Sequence, residues 1–216
     1  MKTRNVAFQG IGAVVLLAAC VSAPEPVVTE ETIQRVIGSS YSTIEYKYPP
    51  EVIARMNQDD GQKMCTAARN EVAKIPRAQL DAFVATAQKE IKYPASGKLT
   101  GDWREGERIA QSGFGMRFGE QADDPTRPNG GNCYACHQIA PQEVAFGTVG
   151  PSLLGYGKQR GASEAMQKFV YDKIYNAWIV SPCSNMPRFG HHAFLTPEQI
   201  SHVVALLLDP ASPVNK

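Results

Sequence analysis

Residues 132–137 read NCYACH, and this stretch decides how the rest of the chain is interpreted. Cys133 and Cys136 are separated by two residues, and His137 follows directly. A structural zinc site would need a second pair of ligands at a similar spacing, which the remaining cysteines and histidines do not form. A thioredoxin-type dithiol would need its CxxC inside a βαβ unit, and the sequence shows no alternating strand pattern. Both interpretations are therefore disfavoured.

Covalent attachment of a haem fits every position of the motif. Two thiols at this spacing can add to the two vinyl groups of one haem, which makes thioethers at Cys133 and Cys136. His137 is then held beneath the iron, with its imidazole as the proximal ligand. We therefore predict one covalently bound haem c.

The sixth ligand of the iron is expected downstream, where the chain can reach the other haem face. Met186 lies in an irregular segment and is followed by a stiff proline. Its thioether is soft and flexible, and it raises the reduction potential relative to two histidines. His191 and His192 follow in the same loop and stay open as alternatives. Met166 falls within a helix pattern and Met116 precedes the motif, so we predict Met186.

The segment GTVGPSLLG, residues 147–155, is predicted to support the proximal histidine. A proximal imidazole needs a hydrogen bond on its other ring nitrogen to stay oriented. A rigid Gly-Pro turn at Pro151 could present a backbone carbonyl for this bond. A plain surface turn would explain the glycines but not the apolar pair Leu153 and Leu154, which we expect to shield a haem edge.

The N-terminal segment has the proportions of an export signal. Lys2 and Arg4 precede an apolar run that ends at Cys20 and is too short to span a bilayer. The sequence LAAC resembles a bacterial lipobox, in which the cysteine is lipidated and anchors the chain to a membrane surface. The competing cleavage site lies before Pro24. We predict a periplasmic protein, and lipidation at Cys20 is open.

Charge and cysteine usage give two further expectations. The formal net charge is +1, from 22 basic and 21 acidic residues, so we expect no nucleic-acid partner. Two cysteines, Cys65 and Cys183, belong neither to the signal nor to the motif. In an oxidising compartment such a pair is commonly joined. The alternatives are two unrelated buried thiols or a single reactive one.

The periodicity of apolar residues predicts a mainly α protein. Asp102 and Thr196 are predicted N-caps, with Pro197 at the first helical position. We expect Phe169, Ile174 and Trp178 on the apolar side of one helix, and residues 146–161 to form a loop. The predicted helical segments are residues 58–74, 77–92, 103–112, 164–178 and 197–208, and the last buries Ile200, Val203, Val204, Leu207 and Leu208.

The order of motifs resembles a class I cytochrome c. The segments are GDWREGERIAQSG, CYACH, GTVGPSLLGYG, NMPRFG and LTPEQISHVVALLL, within residues 98–209. The resemblance implies a class I cytochrome c fold with an α-helical N-terminal extension. We divide the chain into an export signal at 1–20, a tether and helical extension at 21–97, and a cytochrome c domain at 98–216.

More narrowly, the chain resembles the SoxX family, the monohaem subunits of the SoxAX complexes of bacterial thiosulfate oxidation. The segments VGPSLLGYGKQRG, CSNMPRFG and QKMCTAARNE carry this resemblance. It implies a SoxA-like haem subunit as partner, which joins thiosulfate to a cysteine of the carrier protein SoxYZ as an L-cysteine S-thiosulfotransferase. This chain would pass the electrons to a soluble cytochrome and would not be catalytic alone. The alternatives are a self-standing periplasmic electron carrier and a haem ligand sensor with an open iron site.

Overall fold

The computed structural model describes residues 28–40, 42–43, 46–47, 54–116 and 124–216. The predicted export signal, Cys20 and Pro24 lie outside the described residues. The chain divides into two compact units, Met1–Lys47 and Tyr48–Lys216. In the first unit, helix α1 (Glu30–Ser40) precedes two antiparallel strands, β1 (Ser42–Thr43) and β2 (Tyr46–Lys47).

The second unit is helical, which confirms the mainly α prediction. Its helices are α2 (Asp60–Ala67), α3 (Arg77–Lys89), α4 (Trp103–Gln111), α5 (Tyr156–Arg160), α6 (Glu164–Tyr175) and α7 (Pro197–Leu208). Short 3-10 turns lie at Val72–Lys74, Cys133–Ala135, Ala177–Ile179 and Pro213–Asn215. Helix α5 corrects the predicted loop at residues 146–161. Its five residues are too few to show an apolar periodicity in the sequence.

The predicted helix starts are present in the structure. The Asp102 carboxylate accepts a hydrogen bond from the Arg104 backbone amide at 2.8 Å and caps α4. Thr196 caps α7 in a reciprocal capping box with Gln199, and Pro197 occupies the first turn. The expected apolar stripe of α7 is buried, namely Ile200, Val203, Val204, Leu207 and Leu208. These local signals therefore sufficed to place α4 and α7.

The main core forms where α4 crosses α7. A side chain at Gly106 would place its Cβ 2.1 Å from the His202 carbonyl oxygen, so only glycine permits this close approach. The imidazole Nδ1 of His202 accepts a hydrogen bond from the Asp102 amide at 2.8 Å across the same crossing. Ile109 and Ala110 follow Gly106 and are buried in the core. The crossing fixes the direction in which the chain leaves α4.

A second cluster joins α2 and the turn that precedes α3 to the segment after α6. Buried Met64, Cys65 and Ile75 pack against Ala177 and Trp178. A disulfide joins Cys65 to Cys183 across 118 residues of chain. A bridge of this kind typically stabilises a small secreted domain by ~2–5 kcal/mol.

The part of the extension after residue 47 packs on the rest of its own chain. Residues 48–97 belong to the same compact unit as residues 98–216. The boundary that we drew at residue 97 separates sequence motifs and stays a prediction. In the structure, α2 and α3 support the segment that follows α6.

We expect Gly106→Ala to destabilise the protein because the added methyl group must push α4 and α7 apart. Overpacking of this kind costs about 1–3 kcal/mol. Chemical denaturation of the haem-loaded protein measures the loss. Arg108→Ala, which removes only an exposed ion pair with Glu105, is the matched control in the same helix and should cost less than about 1 kcal/mol. Equal stability of Gly106→Ala and the parent would contradict the close crossing.

Candidate functional site

The end of α4 positions the CxxCH motif. The Gly131 amide donates to the Ile109 carbonyl at 2.8 Å, and the Asn132 amide donates to the Ser112 carbonyl at 2.8 Å. Asn132 has a left-handed backbone with a φ of 46°, a conformation that asparagine tolerates. The chain therefore turns sharply into the short helix that begins at Cys133.

The Gly-Pro segment runs alongside the motif and is bonded to it residue by residue. The Gly147 amide donates to the Tyr134 carbonyl, and the Gly150 amide donates to the Cys136 carbonyl, both at 2.8 Å. The Leu153 amide donates to the carbonyl of Gln138 at 2.8 Å. These bonds fix the turn at residues 150–151 against His137.

His137 is oriented by a backbone carbonyl of this turn. Its Nδ1 lies 2.7 Å from the Pro151 carbonyl oxygen. A carbonyl only accepts hydrogen bonds, so Nδ1 carries the proton and Nε2 keeps its lone pair for a metal. This is the support that we predicted from the Gly-Pro turn.

One cavity of about 680 Å³ brings the predicted haem-binding side chains together. It is lined by Cys133, Cys136 and His137 on one side and by Met186 from the segment before α7. Burial raises the pKa of the Cys133 thiol to about 12, so this thiol is protonated and uncharged in the cavity. The cavity is therefore a candidate site for a bound apolar cofactor.

The alternative distal ligands lie elsewhere. His191 and His192 are outside the cavity lining and both face Asp59, at 3.8 and 3.7 Å from its Oδ2. The sulfur of Met166 accepts a contact from the Tyr156 hydroxyl at 3.9 Å and is also outside the lining, as is Met116. Met186 is thus the one member of the predicted set that lines the cavity. Its bond to iron stays a prediction.

The segment that carries Met186 is held on both sides. Before it, the Trp178 indole donates to the Ser184 carbonyl at 2.8 Å, and the Cys183 disulfide reaches α2. After it, the Gly190 amide donates to the Tyr175 carbonyl at 2.9 Å. Such fixation limits the positions that the Met186 sulfur can adopt.

Some residues of the cavity wall differ from the expected ones. Pro151 and Leu153 line the cavity, and Leu154 is not among its lining residues. The carbonyl of Leu154 accepts from the Gln159 side chain at 2.9 Å, so this residue is engaged with α5. Leu154 was assigned by its apolar character alone, and the bond to its carbonyl places it at the turn into α5.

Phe169 corrects another expectation. Ile174 and Trp178 are buried as predicted, but Phe169 is 44% exposed and lines the cavity. Val149 and Val180 share this character, with 72% and 43% of their surface exposed. Large apolar side chains around one opening fit an apolar ligand that covers them. The residues present therefore suit the flat apolar face of a haem.

One edge of the cavity is polar. Lys173 Nζ donates to Ser181 Oγ at 2.9 Å, and burial lowers the pKa of this lysine. Within the part of the chain that the structure describes, the buried Ser184 hydroxyl has no hydrogen-bond partner. A cation and an unpaired hydroxyl suit the carboxylates that a haem carries beside its apolar ring. Sequence reasoning missed Lys173, although it stands one helical turn after Phe169.

Comparisons with known proteins agree with this geometry. Residues 129–209 match the family model described as cytochrome c. Over 162 residues the chain is 42% identical to a protein of Aquifex aeolicus (strain VF5) with the name "Uncharacterized lipoprotein". The aligned region covers 74% of this chain and 73% of that protein. Among the described helices, none combines the length and the apolar character that a membrane crossing requires.

We expect Gly150→Ala to displace His137. The added Cβ would lie 2.2 Å from the imidazole Cε1, so the ring must leave the Pro151 carbonyl. The variant should load less haem, and the spectrum of the loaded fraction should change. Thr148→Ala, an exposed change in the same segment, is the control. Parent-like loading and spectrum in Gly150→Ala would contradict the placement of His137.

Proposed function

This chain belongs to the same family as the Aquifex aeolicus lipoprotein and carries a class I cytochrome c domain, and from this premise we propose that it transfers electrons through one haem c bound by Cys133, Cys136, His137 and Met186. The observation that carries the proposal is the shared cavity of His137 and Met186. When bound, a haem supplies a one-electron iron couple.

Each side chain of the site has a role in this proposal. Cys133 and Cys136 form thioethers, which keep the cofactor attached. His137 presents Nε2 to the iron because the Pro151 carbonyl holds its Nδ1 proton. Met186 would hold the iron as its second protein ligand, which would leave no position for an exogenous ligand and disfavours the sensor alternative. The apolar wall excludes water, and this favours the less charged, reduced state.

The finer proposal is that the chain is the electron-transfer subunit of a complex that oxidatively conjugates thiosulfate to a cysteine of a carrier protein. In that reaction the carrier thiol and thiosulfate form a sulfur–sulfur bond and release one proton and two electrons. The partners would be a SoxA-like haem subunit, SoxYZ and a soluble cytochrome acceptor. Its support is the resemblance of VGPSLLGYGKQRG and CSNMPRFG to SoxX proteins.

A self-standing periplasmic electron carrier is the alternative. The packing of α2 against Trp178 favours it, because this part of the extension is covered by its own chain and needs no partner to cover it. In either case we propose that lipidation of Cys20 tethers the protein outside the cytoplasm. The name of the relative, which describes it as a lipoprotein, and the LAAC segment of this chain support a lipid anchor at Cys20.

We expect Met186→Ala to abolish the weak far-red absorption band that a methionine sulfur bound to ferric iron produces. The reduction potential should fall, and the reduced variant should bind carbon monoxide rapidly. Met166→Ala, which removes a methionine outside the cavity, should leave all three properties unchanged. Absence of the band in the parent protein would overturn Met186 ligation and return His191 and His192 as candidates.

Isolation of the native protein tests the finer proposal. We expect it to co-purify with a second haem protein, and the isolated complex to reduce its haem when thiosulfate and a thiol-bearing carrier are both added. A monomer with a closed iron site that exchanges electrons with other cytochromes but ignores thiosulfate would establish the self-standing carrier. That outcome would leave the Met186 result intact.

A further inference from the structure

We propose that Asp59, His191 and His192 form a separate site for one divalent transition-metal ion, such as Zn²⁺, outside the haem cavity. One donor atom from each residue lies within 4.8 Å of the others. The Asp59 Oδ2 atom is 3.8 Å from His191 Nε2 and 3.7 Å from His192 Nε2. These residues come from the N-cap of α2 and from the segment before α7, so the cluster is assembled by the fold.

The spacing of the donors is close to that of a bound ion. With ligand bonds of about 2.1 Å, neighbouring donors in a tetrahedral site lie roughly 3.4 Å apart. Small rotations of the side chains would therefore bring Asp59, His191 and His192 into contact with one ion. Two imidazoles and one carboxylate are the donor set that suits zinc and its first-row neighbours, and it suits calcium and magnesium poorly.

The imidazoles are available as ligands. Among the described residues, neither His191 nor His192 makes a side-chain hydrogen bond within ordinary limits. Glu90 Oε2 lies 3.5 Å from His191 Nδ1, on the side of the ring opposite to Asp59. A small movement would bring this carboxylate into a hydrogen bond with Nδ1–H, which would leave Nε2 for a metal. Burial, together with the neighbouring Arg188 and His191, lowers the pKa of His192 and favours the neutral form that binds metals.

The carboxylate is held by two donors: its Oδ1 accepts from the Gln62 amide, and its Oδ2, which faces both imidazoles, accepts from Arg188 and keeps a second lone pair for an ion. Burial raises the pKa of Asp59, but hydrogen bonds from the Gln62 amide and from Arg188 outweigh it, and the net pKa is lowered. Asp59 therefore stays ionised. Its charge is balanced by the buried guanidinium of Arg188, and Glu90 adds one negative charge nearby. A dication would change the net charge of this group from −1 to +1, which is a modest imbalance at a hydrated surface.

Ions can reach the cluster from solvent. The side chains of His191 and His192 are 26% and 48% exposed, and that of Asp59 is 31% exposed. Three protein donors leave a fourth position for water. A bound ion would join the start of α2 to the chain that follows Met186, so the stability of the folded state would rise with the logarithm of the ion concentration once the site is mostly occupied.

Calorimetric titration of the mature, haem-loaded protein with zinc chloride tests this site. The protein should carry no histidine tag. We expect one Zn²⁺ per chain and a melting temperature that rises with zinc concentration. His191→Ala and His192→Ala should each weaken binding by about 10-fold or more. His202→Asn, which removes an imidazole at the α4–α7 crossing, should bind zinc like the parent.

Two results would overturn the proposal. One is no zinc binding to the parent, and the other is unchanged affinity in both histidine variants, which would place the ion elsewhere. Asp59→Asn tests the carboxylate separately because asparagine can still cap α2. If that variant does not fold, the two histidine variants decide the question. Zinc binding that persists in Met186→Ala would show that the site is independent of haem ligation.

Discussion

The close crossing of α4 and α7 is the constraint on which the rest of the structure depends. Gly106 permits the approach. The carbonyls of Ile109 in α4 and of Ser112 directly after it then accept hydrogen bonds from the amides that introduce the CxxCH motif. Helix α7 contributes Leu207 to the cavity from the other side of the same crossing. The backbone contact between the two helices therefore sets where the CxxCH motif lies relative to Leu207 in the cavity wall.

Features that depend on neighbouring residues could be read from the sequence. The caps Asp102 and Thr196 and the CxxCH spacing are local patterns with a direct physical cause. The role of the Gly-Pro turn could also be predicted, because a proximal histidine needs a hydrogen-bond acceptor for its second ring nitrogen and the backbone carbonyl of such a turn can supply it. Features that depend on distant residues were missed. Asp59 and Arg188 are 129 residues apart, and no local pattern pairs them.

Other discrepancies came from using apolar character as a proxy for burial. Phe169 has the right helical position for a core residue, yet it faces the cavity opening. Leu154 is apolar and adjacent to a lining residue, yet it lies at the turn into α5 and is not among the lining residues. Apolar side chains that are exposed in the protein become covered when an apolar cofactor binds. The rule that large apolar residues lie in the protein core therefore does not hold at a cofactor site.

The chain carries two cysteine pairs: one forms a disulfide, and we propose that the other forms thioethers with a haem. The four cysteines that the structure describes allow three pairings, and the structure joins Cys65 to Cys183. Thiol–disulfide exchange requires a thiolate, and the pKa of about 12 at Cys133 makes its thiolate rare at neutral pH. Burial of Cys133 in the fold therefore slows its attack on the Cys65–Cys183 disulfide before a haem is attached. A stable disulfide and a motif that needs free thiols for haem attachment can then coexist in one chain.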